Sequence, residues 1–580
     1  MALVYQGTSL SSGIGIGRTV HLKKNNIEIP AYVPEDPAEE VKSFYLHHQS
    51  AVEETKALLA QAEQTLGAHE AEILDAQLTF LQDEYSVLEP IETAIREEKR
   101  NMLQAVDQVF CSIRDIFAAA DDDYMRQRVA DVEDIRFRLL SHMLGVAAVK
   151  ECVLPENSVL LAKNLTPSDT MRLDLSRVCA IVTGEGSYYS HVGIITRNLL
   201  IPAIGGLGEQ IDAIGEGVSA VVDAENGSLY LEPAEEELQS FFARRDQLAE
   251  RMQRLEIYRT LPSCTNHGDA GVICANIGTP QEALLAKEKG AEGIGLMRSE
   301  FLYMDHRDLP GEEEQFAAYT SVLQTMKGYN VIIRTLDVGG DKELPSLSLP
   351  KEDNPFLGCR AIRLCLQERA LFRTQLRALL RASSYGNLSI MLPMISSLEE
   401  LRETKRFLRE VQLELESEGV VVSPYRLGIM IEVPSAALLA DVFAREVDFF
   451  SIGTNDLAQY TLAAERGNAS VAHLYDPCHP AVLRLIAMAS RAARDHGILC
   501  GMCGEAAADE ALLPVFWGMG IREFSMSAAS VLPMRAALAQ WSDAECRERA
   551  EHVLGLGSLQ EVRQYLGKDP IISLKEESLC

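Results

Sequence analysis

The sequence predicts a multidomain α/β protein in which a small α/β domain with an inserted helical bundle precedes a (β/α)8 barrel of the TIM type. Short apolar strands separated by glycine-rich turns occur at both ends of the first 232 residues. Between them, apolar residues recur at three- and four-residue spacing, as in amphipathic helices. Beyond about residue 270, eight apolar runs alternate with helical stretches, which is typical of a barrel of parallel strands. An open doubly wound sheet is the alternative.

The boundaries of the predicted domains follow these changes of pattern. Residues 1–30 are typical of strand and turn, with a glycine-rich stretch at Gly13–Gly17, and later strands are predicted at Ser158–Ala162, Val178–Thr183 and Val218–Asp223. Ala234–Leu261 is charged, favours helix and lacks glycine, so it is predicted to be a stiff linker. The predicted domains are the α/β domain at 1–32 and 148–232, the bundle at 33–147, the linker at 233–262 and the barrel at 263–580.

The bulk composition restricts the function. The chain has 580 residues and a formal net charge of −31, so nucleic acid and anionic membranes are not expected as partners. The acidic bundle predicts either a solvated surface or a docking face for a basic protein. We see no signal peptide, no apolar run of about 18 residues and no disulfide framework among the 12 cysteines, so we expect a cytoplasmic, reduced protein. The C-x-x-C pair of Cys500 and Cys503 leaves a redox dithiol as a minor alternative.

Polar residues follow several predicted barrel strands, where a barrel places its active site. Arg298 follows the second strand, Arg334 the third, Glu432 the fifth, Asp456 the sixth and Cys503 the seventh. The predicted strands are Gly271–Ala275, Gly293–Leu296, Asn330–Ile333, Leu388–Leu392, Leu427–Ile431, Phe449–Ile452, Ile498–Cys500 and Glu523–Met526.

Two carboxylates, Glu432 and Asp456, are expected to point into this mouth. They suit Mg²⁺, because this ion prefers one or two carboxylates together with water and substrate oxygens. Arginine binds phosphate and carboxylate groups through paired hydrogen bonds, and lysine adds a compact charge. The set predicts a magnesium site that binds a small phosphorylated acid for phosphoryl transfer, with Cys503 as a candidate proton donor. The cations expected near the mouth are Arg298, Arg334, Lys342, Arg360 and Arg466.

A second candidate site precedes the barrel, in the segment Gly184–Arg197. Its glycines allow a backbone to approach an anion, and a helix predicted to start near Ser190 offers free N–H groups. His191 at that start could carry a phosphoryl group on a ring nitrogen. A lone histidine in a turn is more often a surface or capping residue, so the residues alone leave both interpretations open.

Several long motifs carry a resemblance that covers nearly the whole chain. They are Gly293–Leu302, Arg334–Pro345, Asn354–Gly358, Arg360–Arg363, Asp448–Asp456, Gly501–Glu505 and Phe524–Ser527. Together, and in this order, they resemble Enzyme I of the bacterial sugar phosphotransferase system, the phosphoenolpyruvate–protein phosphotransferases.

The resemblance implies roles for the barrel residues. The barrel would bind phosphoenolpyruvate and Mg²⁺, release pyruvate and form a homodimer. Glu432 and Asp456 match the metal ligands, and Cys503 matches the acid that protonates the enolate of pyruvate at carbon 3. The residues assigned to substrate binding, by match or by charge, are Arg298, Arg334, Lys342, Arg360, Asn455, Asp456 and Arg466.

The resemblance also implies a relay in the first half of the chain. His191 matches the histidine that accepts the phosphoryl group, and Thr170 matches the threonine that orients it. The bundle would dock the carrier protein HPr, the next acceptor. The loop departs from the usual Gly-Gly-x-Thr-Ser-His, since Ser187 replaces a glycine and Tyr189, which is bulky, replaces a threonine. Gln77 stands where relatives often have a histidine in the docking surface.

Three rival functions share parts of this pattern. A dikinase, such as pyruvate phosphate dikinase, needs a large nucleotide-binding domain, and neither room for it nor a P-loop motif is present. An aldolase-type barrel lyase leaves about the first 260 residues unexplained. A non-catalytic regulator that binds phosphoenolpyruvate or HPr is favoured only by the unusual His191 loop, and a pure binder does not need a proton donor at Cys503.

Overall fold

The structure is a computed structural model of the chain. It describes residues 3–22, 29–65, 68–118, 129–145, 154–166, 169–170, 173–186, 191–199, 201–266, 268–304, 309–339, 352–465, 468 and 470–567. The chain forms two compact units, residues 1–252 (the first unit) and 253–580 (the second unit). Among the described helices, none combines the length and the apolar character needed to cross a membrane.

A mixed sheet forms the α/β part of the first unit. Its described strands are β1 (Leu3–Gln6), β2 (Thr8–Ser11), β3 (Ile14–His21), β4 (Ser158–Ala162), β5 (Val178–Thr183), β6 (Ala203–Gly205), β7 (Ser219–Asp223) and β8 (Ser228–Leu231). They lie in the order β1-β8-β7-β3-β4-β5-β6-β2. Strands β3 to β6 pair in parallel, and the outer pairs are antiparallel. The parallel centre is buried, with every residue of β4 inside the protein.

Most of the glycine-rich stretch Gly13–Gly17 belongs to strand β3. A Cβ on Gly17 would lie 1.8 Å from the carbonyl oxygen of Asn157, and a Cβ on Gly15 would lie 2.4 Å from that of Cys179. These glycines therefore allow neighbouring backbone to approach the strand closely.

The helical bundle is inserted between β3 and β4. Apolar residues of its fourth helix, from Met102 to Phe110, are buried at three- and four-residue spacing, which confirms the predicted amphipathic helices. The described helices are α1 (Pro37–Thr65), α2 (Ala68–Leu81), a π-helix (Glu84–Leu88), α3 (Glu89–Arg96), α4 (Met102–Ala118) and α5 (Val129–Leu144). The first unit then continues with α6 (His191–Asn198), and α7 (Glu235–Leu255) begins in the first unit and ends in the second.

The second unit is a closed barrel, so the alternative of an open sheet is wrong. Its described strands are β9 (Val272–Ile277), β10 (Gly293–Arg298), β11 (Asn330–Arg334), β12 (Asn387–Leu392), β13 (Arg426–Ile431), β14 (Phe449–Ile452), β15 (Leu499–Met502) and β16 (Glu523–Met526). Each overlaps a predicted strand, and each pairs in parallel with its neighbours around the closed ring.

Helices surround this barrel and bury a continuous apolar core against its strands. The described helices are α8 (Glu282–Glu288), α9 (Phe301–Met304), α10 (Glu312–Thr325), α11 (Ile362–Gln367), α12 (Arg369–Ala382), α13 (Leu398–Ser417), α14 (Pro434–Leu438), α15 (Ala440–Phe443), α16 (Thr454–Leu462), α17 (Pro480–His496), α18 (Leu513–Met519), α19 (Val531–Leu538), α20 (Asp543–Gly555) and α21 (Leu559–Gly567).

The first residues of the second unit are fastened to the barrel by Arg535, whose side chain is 1% exposed. Its guanidinium donates to the carbonyl oxygens of Tyr258 (2.8 Å), Arg259 (3.1 Å) and Gly290 (2.6 Å), and its Nε donates to Ser263 Oγ (2.9 Å). A buried charge that is fully hydrogen-bonded rigidifies its surroundings. The segment 258–263 is therefore fixed relative to the barrel.

Candidate active site

The polar residues predicted at the barrel strand ends lie at one end of the closed barrel. Arg298 and Arg334 are the last residues of β10 and β11, and Glu432 and Cys503 directly follow β13 and β15. Asp456 lies in the first turn of α16, just after β14. Because all the strands are parallel, their carboxyl ends meet at one face, which we call the barrel mouth.

Arg334 links two carboxylates at the mouth. Its guanidinium donates to Glu300 and lies 3.0 Å from Asp337 Oδ2, and its Nη1 lies 3.7 Å from Met430 Sδ. Burial alone would lower the pKa of Arg334, but Glu300 and Asp337 together raise it above its usual range. The arginine is therefore a permanent cation in a protected position.

Arg360 continues this pattern on the other side of Asp337. Its Nη2 lies 3.0 Å from Asp337 Oδ1 and 3.0 Å from Asp456 Oδ2, and its Nη1 donates to Tyr460 Oη at 3.2 Å. Gly339, at a φ of +107°, allows this approach, because a Cβ there would lie 2.6 Å from the Cβ of Arg360. The result is a row of alternating buried charges, which we call the charge row. Its members in order are Glu300, Arg334, Asp337, Arg360 and Asp456.

Glu432 lies beside the end of the charge row, and 2% of it is exposed. Its Oε1 accepts the N–H of Met394 at 2.6 Å. Burial, and then the nearby carboxylates Asp456 and Asp337, raise the pKa of Glu432 above its usual range. A Cβ on Gly453 would lie 3.1 Å from Glu432 Oε2, so the glycine leaves room for this carboxylate.

The pair Glu432 and Asp456 has the chemistry of a site for a hard cation. Among the described residues, no hydrogen bond reaches Glu432 Oε2 or Asp456 Oδ1, whereas the other oxygen of each carboxylate is bonded. Within that same part of the chain, no group of three or more His, Cys, Asp or Glu side chains could hold a metal. A cation at this pair would therefore complete its coordination with water and substrate oxygens, which suits Mg²⁺.

Cys503 lies at the base of the mouth and is 5% exposed. Its Sγ is 3.8 Å from the carbonyl oxygen of Ile452. Burial raises its pKa to about 11, although the nearby Ser451 hydroxyl and the charge of Arg334 oppose the shift. The thiol is therefore protonated at neutral pH, the form a proton donor needs. The apolar side chains that pack with it are Leu296, Ile332, Met391, Met430 and Phe449.

Burial also raises the pKa of Cys500, to about 12. Redox-active C-x-x-C pairs have a lowered thiol pKa instead. The minor interpretation of Cys500 and Cys503 as a redox dithiol is therefore not supported.

The structure describes only some of the other residues predicted to bind substrate. Arg298 is half-buried at the mouth, and Asn455 exchanges hydrogen bonds of 3.0 Å with the side chain and the N–H of Glu505. Lys342 and Arg466 lie outside the described residues. Glu300 and Asp337 carry no predicted role, although both follow barrel strands within the quoted motifs.

The candidate phosphoryl acceptor begins a helix. His191 is the first residue of α6, as predicted, and Ser187 and Tyr189 lie outside the described residues. Thr170 is buried, and its N–H donates to the carbonyl oxygen of Thr166 at 3.1 Å. This bond fixes the turn that carries Thr170.

Gln77 does not lie on an exposed docking surface, because only 2% of it is accessible. Its Nε2 donates to Asp131 Oδ1 at 3.1 Å, and its Oε1 accepts from Arg138 at 3.0 Å. Arg138 is buried as well and also contacts Thr55 and Asp134. The amide of Gln77 therefore joins helices inside the bundle.

Three parts of the chain match families of phosphoenolpyruvate-utilising enzymes. Residues 6–128 match "PEP-utilising enzyme, N-terminal", residues 154–227 match "PEP-utilising enzyme, mobile domain" and residues 252–542 match "PEP-utilising enzyme, PEP-binding domain". The last match contains all eight described strands of the barrel. The barrel and its mouth therefore define a member of this class of enzyme.

Comparison with individual proteins narrows the class. A protein of Priestia megaterium named phosphoenolpyruvate-protein phosphotransferase is 43% identical over 569 residues, 97% of this chain and 98% of that protein. One of the same name from Staphylococcus carnosus (strain TM300) is 43% identical over 564 residues, 97% and 98% of the two chains. An NMR solution structure of Enzyme I has a TM-score of 0.36 at 28% identity and covers 42% of this chain and 99% of its own. The chain belongs to the family of phosphoenolpyruvate-protein phosphotransferases.

The raised pKa of Cys503 predicts low reactivity at mildly alkaline pH. At pH 8, iodoacetamide should modify Cys503 in the native protein roughly a hundredfold more slowly than in urea, because the thiolate is rare and shielded. Mass spectrometry of the Cys503 peptide measures the rate, with the partly exposed Cys359 as an internal control. Equal rates in native and unfolded protein would contradict this account of the thiol.

Proposed function

We propose that the chain transfers the phosphoryl group of phosphoenolpyruvate to His191, releases pyruvate and passes the group on to a histidine carrier protein of the HPr type. The family to which the chain belongs supports the activity. The observation that carries the assignment of residues is the barrel mouth, where buried arginines, a carboxylate pair and a protonated thiol meet. A relay needs all three elements: neutralisation of a phosphate, a cation site and a proton donor.

The charges at the mouth balance those of a phosphorylated acid when a divalent cation is bound. Among the described residues, three arginines (Arg298, Arg334 and Arg360) meet four carboxylates (Glu300, Asp337, Glu432 and Asp456), which leaves the set one negative charge. A divalent cation, together with Lys342 and Arg466, would reverse this to three positive charges. Phosphoenolpyruvate carries up to three negative charges, so substrate and cation would bind together.

Glu432 and Asp456 would hold Mg²⁺, which would neutralise phosphate charge during transfer. Arg298, Arg334, Asn455 and Arg466 would orient the substrate, with Lys342 and Arg360 adding charge. Cys503 would then protonate carbon 3 of the enolate. The apolar side chains around the thiol would exclude water from that carbon.

His191 would attack the phosphorus atom in line as a neutral imidazole, oriented by Thr170. The reaction should therefore fade as His191 becomes protonated at acidic pH. The histidine must meet both the barrel mouth and the carrier, so we propose a swivel of the two units about the linker helix.

Two anchors limit where this swivel can occur. In the first unit, Phe241 and Leu238 of α7 pack against the sheet, and Arg244 lies 2.8 Å from Asp223 Oδ2. In the second unit, Leu255 packs on α19, and the hydrogen bonds of Arg535 fix the segment 258–263 that follows it. Residues 249–251, 253 and 254, between these anchors, are exposed. They are therefore the proposed pivot.

The bundle would dock the carrier through an acidic surface that also exposes apolar side chains. Tyr85 is 79% exposed and Ile116 is 67% exposed. A groove of about 510 Å³ between the π-helix, α3 and α4 is lined by Tyr85, Thr93, Gln108 and Ile113, together with the acids Glu89 and Glu98. Apolar anchors with an acidic rim suit a partner with a basic and partly apolar face.

We also propose that the barrel forms the homodimer. Three exposed apolar residues lie close together on its surface. Leu438 (57% exposed) ends α14, Leu439 (44%) joins α14 to α15, and Met488 (44%) lies on α17, which packs against both of these helices. Exposed apolar patches mark association surfaces. Sedimentation at several concentrations measures this association.

The ten described cysteines are unpaired, which supports a location in the reducing cytoplasm.

Incubation with ³²P-labelled phosphoenolpyruvate and Mg²⁺ tests the relay. The wild-type chain should take up label that is labile in acid and stable in base, as a phosphohistidine is, and His191→Ala should take up none. The matched control is His473→Ala, an exposed histidine of the barrel unit, which should label normally. Failure of the wild type to label would favour the non-catalytic regulator.

The carboxylate pair predicts a specific dependence on the cation. Asp456→Ala should abolish labelling and also abolish Mn²⁺ binding measured by electron paramagnetic resonance, while the circular dichroism spectrum is retained. Asp495→Ala, at an exposed position on α17, should change neither measurement. Unchanged labelling in Asp456→Ala would reject Asp456 as an essential ligand.

The docking proposal predicts a separation of the two steps. Tyr85→Ala should raise the KM for HPr about tenfold, as loss of an aromatic anchor does, and leave labelling by phosphoenolpyruvate unchanged. Tyr329→Ala, an exposed tyrosine of the barrel unit, is the matched control. Quenched assays with purified HPr measure the rate of labelling and the rate of transfer to HPr. An unchanged KM for HPr in Tyr85→Ala would place docking elsewhere.

A further inference from the structure

A buried hydrogen-bond network lies behind the carboxyl ends of β10 and β11, outside the residues that form the mouth. At its centre is Gln375 of α12, which is 1% exposed. Its Nε2 donates to Ser299 Oγ at 3.0 Å and to Tyr319 Oη at 3.2 Å, and its Oε1 accepts the N–H of Leu336 at 2.9 Å. One side chain therefore joins the loops that follow two adjacent strands.

The network extends to the helices around the barrel. Tyr319 and Tyr303 both donate to Gln315 Oε1, at 3.1 Å and 3.0 Å, and Gln315 Nε2 donates to the carbonyl oxygen of Pro310 at 3.0 Å. These side chains are fully buried, where such bonds are strong and directional. The position of Gln375 is thus set from outside the mouth.

Ser299 directly follows Arg298, and Leu336 lies two residues after Arg334. We propose that Gln375 is a positioning residue, which sets the spacing between the loops that carry these two arginines. The inference rests on the proposed function, in which both arginines bind phosphoenolpyruvate. Bidentate recognition of a phosphate or carboxylate group depends on sub-ångström placement, so this spacing affects substrate binding directly.

The amide is suited to this role because it donates and accepts at once. A leucine of similar size would fill the space but leave the Leu336 N–H without its acceptor and remove the bonds to Ser299 and Tyr319. The hydrogen bonds that set the spacing between the two loops would then be lost, while the apolar core stays filled.

The test is the kinetics of Gln375→Leu in the full-length protein with HPr. The KM for phosphoenolpyruvate should rise about tenfold, as expected for one or two lost buried hydrogen bonds, and kcat should stay within about twofold. Ser299→Ala, a milder change, should shift the KM in the same direction. Ser490→Ala removes a buried hydroxyl from α17, where it bonds to Met519, and should leave both constants unchanged.

Arg334→Lys separates failure of this inference from failure of the proposed site. An increased KM in Arg334→Lys with an unchanged KM in Gln375→Leu would overturn the positioning role. An unchanged KM in both would reject the barrel mouth as the substrate site. If Gln375→Leu does not fold, Ser299→Ala decides, and a fall in kcat that only follows its melting temperature would overturn the inference.

Discussion

The charge row is the interaction on which the barrel mouth depends. Each of its two arginines lies between two carboxylates, and its members come from the carboxyl ends of three strands, β10, β11 and β14. Because these ions are buried, removing one would leave a neighbour uncompensated, at a cost of about 3–5 kcal/mol. The row therefore fixes several strand-end segments relative to one another. The charges of the row also act on Glu432 and Cys503. Asp456 and Asp337 raise the pKa of Glu432, and Arg334 opposes the rise in the pKa of Cys503 that burial causes.

In the proposed mechanism, the end of the charge row would link cation binding to substrate binding. Burial, and then the charges of Asp456 and Asp337, raise the pKa of the neighbouring Glu432. Such a pair stores unfavourable energy, which a divalent cation relieves. In the proposed mechanism, a bound cation would therefore strengthen the attraction of the mouth for an anionic substrate. The same carboxylate pair would provide the affinity for the metal.

Much of this architecture could be predicted from the sequence, because strand ends are local features. Apolar runs locate the strands, and the polar residue after each run locates the mouth. Which charges pair was not predictable, since Glu300 meets Arg334 only through the register of two strands. Gln77 and Gln375 show the same limit: each looks like an ordinary polar helix residue, and only tertiary packing makes it a buried link. The close backbone contacts of Gly15 and Gly17 were also not predictable, because composition does not reveal which backbone approaches a strand.

The proposed reaction divides its chemistry between the two units. Cys503, with its raised pKa, holds a proton ready in the barrel, whereas the nucleophile starts α6 in the first unit. Protonation of carbon 3 needs an enolate, and the enolate forms only when the phosphoryl group leaves for an acceptor. In the proposed mechanism, substrate bound at the mouth would wait for its acceptor, because His191 belongs to the other unit. Arrival of His191 would thus start both steps.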